Sequence, residues 1–395
     1  DFVYAWRRLA DPAFASEYSW YMELMGVQSA AAVIAGDMPT DQLGVRAVDD
    51  QTFEVTLDKP LPYFPSMLTH ASTFPVPEAV VEELGSDWTK PGNLVGNGAY
   101  VLTEYSPGER VVRERNPLYW DDENTIIERT IALVINDEDQ ALTRYLAGEV
   151  HKTEVPAGQY PRLARELPDE AYSFPRSCSY IYWFNQTESG PEALKDLRVR
   201  QAFAQVLDRD AIINAVVKSQ GVPAYSFLAP GFPASDSEAY ADIHPLDVEG
   251  AQQLLADAGF PDGEGFPALT LKLRGETAVP IAVAQAYAAA LNESLGIDVE
   301  VANLDFSTYM EQLNADQTEV QFSLISYGMD YLDPSNMLGV FVSDGRHQWS
   351  NTDYDALVSE AATFTGNPEE RVQMFQDAER ILVEDVGGVF AYHET

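Results

Sequence analysis

Leu197, Val199, Ala202, Phe203, Val206 and Leu207 recur at the three-and-four spacing of one helical face, with Arg198, Arg200, Gln201 and Gln205 left for the other. Asp208 ends that pattern, and its carboxylate can accept the unpaired N–H groups of a second helix opening at Arg209. The same periodicity predicts helices over 2–9, 18–34, 137–147, 247–258, 278–295 and 368–383, and helical structure throughout 194–217. Alternating or β-branched runs predict strands over 52–57, 110–115, 269–273, 299–302 and 320–325. Pro60, Pro62 and Pro65 break the pattern, and Pro75 with Pro77 forms a second break near which a lobe boundary is expected. Such alternation predicts mixed sheets covered by helices, in a two-lobed α/β protein whose larger lobe lies after about residue 178.

Composition narrows the class. With 395 residues, 46% hydrophobic and 11% aromatic, the chain has material for two or three packed domains. A formal charge of -39, from 63 acidic against 24 basic residues, argues against nucleic acid or an anionic membrane surface as partner. Only six of the 24 basic residues are lysine. An acid-rich, lysine-poor surface fits high external salt; the plainer reading is an acidic protein from an arginine-biased lineage. No run approaches the roughly 18 to 20 apolar residues of a membrane helix. The sequence opens without Met or a charged-then-apolar leader, so any signal peptide is expected to be absent from it. Cys178 is the only cysteine, which excludes an intramolecular disulfide, and is expected to be a small buried residue beside Ser179-Tyr180-Ile181-Tyr182-Trp183.

The predicted strand 320–325 runs into Ser326-Tyr327-Gly328-Met329-Asp330-Tyr331-Leu332-Asp333-Pro334. Ligands of open α/β sheets bind outside the carboxyl ends of strands, where a carboxylate such as Asp330 can hold a cation. A turn or cap role for Asp330 is the competing reading, because Asp333-Pro334 beside it is itself a helix-start signal. Adjacent acids such as Asp49-Asp50, Glu82-Glu83 and Asp121-Asp122 carry little weight among 63 acidic residues. No G-x-S-x-G, H-E-x-x-H or phosphate-cradling glycine loop occurs, and the histidines at 70, 151, 244, 347 and 393 show no ligand spacing. Neither catalysis, nor a metal, nor any cofactor is expected.

As a string, Asp196-Leu197-Arg198-Val199-Arg200-Gln201-Ala202 followed by Asp208-Arg209 resembles the D-x-R-V-R-x-A…D-R signature of the family 5 extracellular solute-binding proteins, the peptide-capturing subunits of ABC importers. Asn97-Gly98-Ala99-Tyr100, Arg115-Asn116-Pro117-Leu118-Tyr119-Trp120, Leu146-Ala147-Gly148-Glu149 and the segment 251–260 resemble further motifs of that family, in its order. The opening 1–12 and Leu61-Pro62-Tyr63-Phe64 resemble its oligopeptide-binding branch. The resemblance implies a periplasmic-binding-protein-like α/β fold (type II, cluster C), with two hinged lobes closing over the ligand and an extra domain. By it, 1–76 would be the remnant of the extra domain, 77–177 the hinge-side lobe, and 178–395 the second ligand-binding lobe. Mature relatives begin earlier and continue further, so a fragment truncated at both ends is expected, its first lobe without its opening strand and with a sheet edge exposed.

The resemblance also implies a site. Asp330 matches the aspartate that holds the peptide's α-ammonium group, buried in relatives, and Tyr18 a tyrosine whose hydroxyl assists that amine. Gly328 would present backbone groups to a peptide bound as an extended strand, and Tyr327 and Phe306 stand where relatives place pocket-walling tryptophans. Relatives bridge the Cys178 position to one that is Gly328 here, so that bridge is lost. Leu324 and Val279 stand where relatives carry basic residues for the peptide carboxylate; Arg274, or Arg346-His347, is the candidate substitute. The implied function is capture of oligopeptides in the cleft between the lobes and delivery to membrane permease subunits, by a monomer in the periplasm or at the outer cell surface. The alternatives are a same-fold receptor for another solute, such as an oligosaccharide or nickel complex, and a hydrolase or chaperone-like surface protein. A surface this acidic repels itself, so the melting temperature should rise as NaCl goes from about 0.1 M to 1 M and the Debye length falls from about 10 Å to 3 Å. A flat or falling series of melting curves would instead favour the arginine-biased lineage.

Overall fold

A computed structural model of the protein describes residues 1–218, 220–275, 278–313, 319–343, 345 and 347–395. It separates into two units, Asp1–Pro156 and Ala157–Thr395.

In the first unit the helix Phe2–Ala10 buries Ala5, Trp6, Leu9 and Ala10, and the Trp6 indole N–H donates to the Thr73 carbonyl at 3.0 Å. The single helix expected over 18–34 is instead two short ones, Trp20–Leu24 and Ala30–Ile34. The chain between them turns through left-handed Gly26 (φ 63°) and Ser29 (φ 66°), and Val27 pairs with Leu57 as an isolated bridge. Strands β1 (Val45–Asp49) and β2 (Thr52–Val55) form an antiparallel pair, and β3 (Tyr100–Ser106), β4 (Arg110–Arg115) and β5 (Arg129–Leu133) form a second sheet with β4 central. The helix Glu138–Leu146 follows, its N-terminus capped by the Asp137 carboxylate, which accepts from the Gln140 N–H at 2.7 Å.

The second unit is built on one six-stranded sheet. Its strands are β6 (Cys178–Phe184), β7 (Gly221–Pro223), β8 (Leu269–Leu273), β9 (Val299–Asn303), β10 (Phe322–Gly328) and β11 (Gly388–Glu394), in the order β7-β11-β6-β10-β8-β9. Strands β8, β9 and β10 run parallel, and β6 is antiparallel to both β10 and β11. Helices cover both faces. Tyr182 and Phe184 join one core with the helices Leu197–Gln205, Val248–Asp257 and Ala278–Leu295; Ile181 and Trp183 join the other with Phe306–Leu313, Thr352–Thr363 and Pro368–Glu384. A strand buried on both sides reads as a continuous apolar run, which is why β6 shows no alternation.

β10 begins two residues later than expected and runs on to Gly328, because its pairing with β6 starts at Phe322 and continues to Cys178. Arg200, expected on a polar outer face, is buried: its guanidinium donates to the carbonyls of Lys195 (2.8 Å), Asp385 (2.8 Å) and Val386 (3.1 Å) and to the Asp385 carboxylate at 3.2 Å. Arg209 is buried as well, donating to the carbonyls of Ala224 (2.7 Å) and Phe390 (2.9 Å). Desolvation brings it down to about 10, still charged at neutral pH. The two arginines of the motif therefore staple helix ends to the strand β11 region, and the helical stretch 194–217 is broken into short segments around them.

Glu379 lies fully buried beneath the 226–228 loop, accepting from the N–H groups of Phe227 (2.9 Å) and Leu228 (2.7 Å). Burial, which outweighs those bonds and the Ser226 hydroxyl, pushes its carboxyl up to about 7. Nearby, the Ser179 hydroxyl donates to the Phe227 carbonyl at 2.7 Å and contacts His393 Nδ1 at 2.8 Å, so Nδ1 carries the proton. Burial pushes His393 down to about 4. The two linkages oppose each other. Folded Glu379 holds a proton that the unfolded chain releases, so its contribution is complete below about 4.5 and is lost as pH rises through 7. The His393 contribution is complete above about 6.5 and is lost as pH falls toward 4. Glu379→Gln should therefore gain on the parent protein by on the order of 2 kcal/mol between pH 5 and pH 8. Chemical denaturation at the two pH values reads this directly; an offset that does not change with pH would refute the buried acid.

Candidate functional site

The parallel run of β8, β9 and β10 brings their carboxyl ends to one edge of the sheet, with the start of antiparallel β6 beside them. Along β10, Ser323, Ile325 and Tyr327 point to the face carrying the helix Phe306–Leu313, and the Ser323 hydroxyl pairs with Tyr309 Oη at 2.7 Å. Asp330 sits two residues past the strand end and is half-buried rather than buried. Its N–H donates to Asn336 Oδ1 at 2.9 Å, while the Tyr327 hydroxyl (3.3 Å) and the Asn336 amide (3.4 Å) donate to its Oδ2. The capping role falls to Asp333: it heads the helix Pro334–Leu338, accepts from the Ser335 N–H at 3.0 Å and is held in a two-pronged pair by Arg371 at 2.7 and 2.8 Å. Asp330 is thus braced at a strand end without serving as the helix cap.

Gly328 is exposed at the strand end, and Tyr327 is half-buried with its ring 6.1 Å from Phe227. On the neighbouring strand end, Arg274 follows β8 and lies over the rings of Phe306 (4.8 Å) and Tyr309 (5.9 Å), with Nη1 3.8 Å from Met310 Sδ. Phe306 is nearly half exposed. Leu324 is buried and Val279 packs against the same core, so neither position offers a charge. Arg346 lies outside the described residues. Tyr18 belongs to the first unit, where its ring stacks on His70 at 4.9 Å beside Trp20 at 5.4 Å. The second unit therefore gathers Tyr327, Gly328 and Asp330 at one strand end and Arg274 with Phe306 at the next. Asn336 escaped the sequence reading; nothing local marks it, since its partner lies across a turn that only the fold closes.

Cys178 is half-buried, and burial, reinforced by Glu394, pushes its thiol up to about 12, so it stays protonated and unreactive at neutral pH. The β6–β10 register sets it directly opposite Gly328.

With this geometry in place, the comparisons with known proteins become specific. Residues 1–377 match the family of bacterial extracellular solute-binding proteins, family 5, middle part. The chain belongs to this family. It is 34% identical over 402 residues to the periplasmic oligopeptide-binding protein OppA of Salmonella typhimurium, covering all of this chain and 72% of that protein. The solved Escherichia coli murein tripeptide-binding protein MppA matches with a TM-score of 0.80 at 33% identity, over 100% of this chain and 77% of that one. Haemophilus influenzae OppA in complex with RPPGFSPFR matches with a TM-score of 0.80 at 32% identity, over 99% and 77%. The mixed α/β fold of this family member is thus that of the periplasmic peptide-binding proteins, as the motif resemblance implied.

The register makes one test of the site's framework available. Cβ atoms of directly opposed antiparallel residues lie about 4.5 to 5.5 Å apart, a small shift from the disulfide range, and a Cβ built on Gly328 meets nothing closer than the Ser177 carbonyl at 3.6 Å. Gly328→Cys should therefore form a disulfide with Cys178 on prolonged oxidation at alkaline pH, where the introduced thiol ionises, leaving no titratable thiol. Two free thiols after oxidation would show that the strand pairing is out of register.

Proposed function

We propose that this chain is the substrate-binding subunit of an ABC importer: it captures oligopeptides, acting as a periplasmic monomer, and hands them to a membrane permease. The observation that carries the reading is Asp330, a carboxylate held by Tyr327 and Asn336 at the carboxyl end of β10 while Asp333 does the capping. A peptide's α-ammonium titrates near pH 8 and is mostly charged at neutral pH, so it is the natural partner for such a carboxylate. A neutral sugar offers no cation to balance the charge of that carboxylate. The exposed backbone at Gly328 suits pairing with an extended peptide, with side chains received in wet pockets, as tolerant peptide receptors require. In this reading Tyr327 and Phe306 wall the side-chain pockets. The allotment of 1–76 to an extra domain, 77–177 to a hinge-side lobe and 178–395 to the second ligand-binding lobe is part of the same reading, as is a role in binding rather than catalysis.

Calorimetric titration with a free-amine peptide and its N-acetylated twin tests this. Acetylation should weaken binding by about 100-fold, near 3 kcal/mol, because one desolvated charge loses its partner. Asp330→Asn should lose a similar factor, become indifferent to acetylation and keep the parent's melting temperature. Equal affinity for the two peptides would refute the assignment.

A further inference from the structure

We infer that Glu379 is a positioning residue for the ligand site: through the 226–228 loop and the cross-strand row His393, Ser179 and Tyr327, its ionisation loosens the seat of Asp330, which makes ligand capture proton-linked. The inference rests on the peptide-binding reading above and adds to it a regulation of the same site.

Three observations carry it. The first is the row. The β6–β10 register sets Ser179 directly opposite Tyr327, and the β11–β6 register sets it directly opposite His393. Directly opposed side chains share one face of a sheet, here the face of Ile181 and Trp183. Within the row the Ser179 hydroxyl contacts His393 Nδ1 at 2.8 Å. At its other end the Tyr327 hydroxyl donates to Asp330 Oδ2 at 3.3 Å, so the row ends on the carboxylate assigned to the ligand.

The second is the clamp on Phe227. Its carbonyl accepts from Ser179 at 2.7 Å, while its N–H and that of Leu228 donate to Glu379 Oε1, on the helix Pro368–Glu384, at 2.9 and 2.7 Å. A residue pinned at both backbone groups has its ring fixed in place. That ring is fully buried, 6.1 Å from Tyr327 and edge-on to Phe341 at 5.1 Å. Tyr327 therefore packs on a ring whose position Glu379 helps to set.

The third is the surroundings of Glu379. Asp236, which disfavours its charge, the phenols of Tyr240 and Tyr354, Arg380 and Asp377 on its own helix, and His393 across the Phe227 peptide are the titratable and charged groups about it. The Tyr240 and Tyr354 hydroxyls donate elsewhere, to the carbonyls of Gln376 (3.1 Å) and Leu338 (2.6 Å), and Arg380 lies over the Tyr240 ring and pairs with Glu384 at 3.6 Å. Among the described residues no cation pairs with Glu379, and burial holds its carboxyl up at about 7. Opening the loop admits water and returns the group to an ordinary carboxyl near 4.5, so the opened state releases a proton that the closed state keeps. Opening becomes easier as pH rises from 4.5 to 7, and a ligand that needs the closed loop is bound in that range with proton uptake.

Hydrogen exchange on the ligand-free chain and calorimetric titration with trialanine, each at pH 5 and pH 8 on the parent, Glu379→Gln and Tyr327→Phe, test the inference. Protection of the Phe227 and Leu228 amides, corrected for intrinsic exchange, should fall with pH at least tenfold more in the parent than in Glu379→Gln. Affinity should fall at least threefold more in the parent over the same step; the peptide ammonium and His393 titrate in both proteins and cancel in the comparison. Tyr327→Phe keeps the ring and removes the hydroxyl, so it should retain the exchange step and lose the affinity step. An affinity change equal in parent and Glu379→Gln would overturn the coupling and leave the peptide reading intact, as would an affinity step that survives in Tyr327→Phe. Protection that falls equally in parent and Glu379→Gln would overturn the switch itself. Failure of every peptide to bind at both pH values would overturn both readings.

Discussion

The second unit depends on the pairing of β6 with its two neighbours. Seven consecutive residues of β6 lie opposite seven of β10, while the other edge of β6 is held by β11. Because side chains alternate with a period of two, a slip of one residue would exchange Tyr182 and Phe184 with Ile181 and Trp183, sending each pair into the wrong core. Both cores contain large aromatic side chains at full burial, so neither tolerates the exchange. The register that satisfies them also fixes where β10 stops. That stop delivers Gly328 opposite Cys178 and carries Asp330 just past the sheet edge. Packing energy gathered in the interior is thereby spent on placing a carboxylate at the rim.

Buried polar groups complete the frame. Arg200 and Arg209 are charged and buried, yet each is surrounded by carbonyl oxygens that replace water, the condition under which a buried charge is tolerated. They join the motif helix to Asp385, Val386 and Phe390, tying together segments nearly two hundred residues apart in sequence. Family-characteristic arginines are easily read as ligand groups. Here their N–H groups go to main-chain oxygens.

At the rim, role is assigned by neighbours rather than by residue type. Asp330 and Asp333 are three residues apart and chemically identical, but Arg371 and the helix start claim Asp333, whereas a hydroxyl and an amide donate to Asp330. The Arg274 guanidinium lies over the rings of Phe306 and Tyr309, as that of Arg209 lies over Tyr225.

The long helices Ala278–Leu295 and Pro368–Glu384 and strand β8 were legible in sequence nearly to the residue, because their periodicity is long and uninterrupted. So were the caps at Asp208 and Asp333, since a side-chain oxygen reaching its own backbone two or three residues on is a local event. The motifs by themselves located the family. Other features are settled by partners distant in sequence. The break of 18–34 into two helices answers to the bridge between Val27 and Leu57, and the burial of Arg200 to carbonyls at Asp385 and Val386. The brace of Asn336 on Asp330 and the laying of Arg274 over Phe306 likewise come from chain closure and strand order. Sequence determines what each segment does with its own backbone; only the tertiary structure decides which side chains meet, because burial and hydrogen-bond completion are properties of the assembled surroundings.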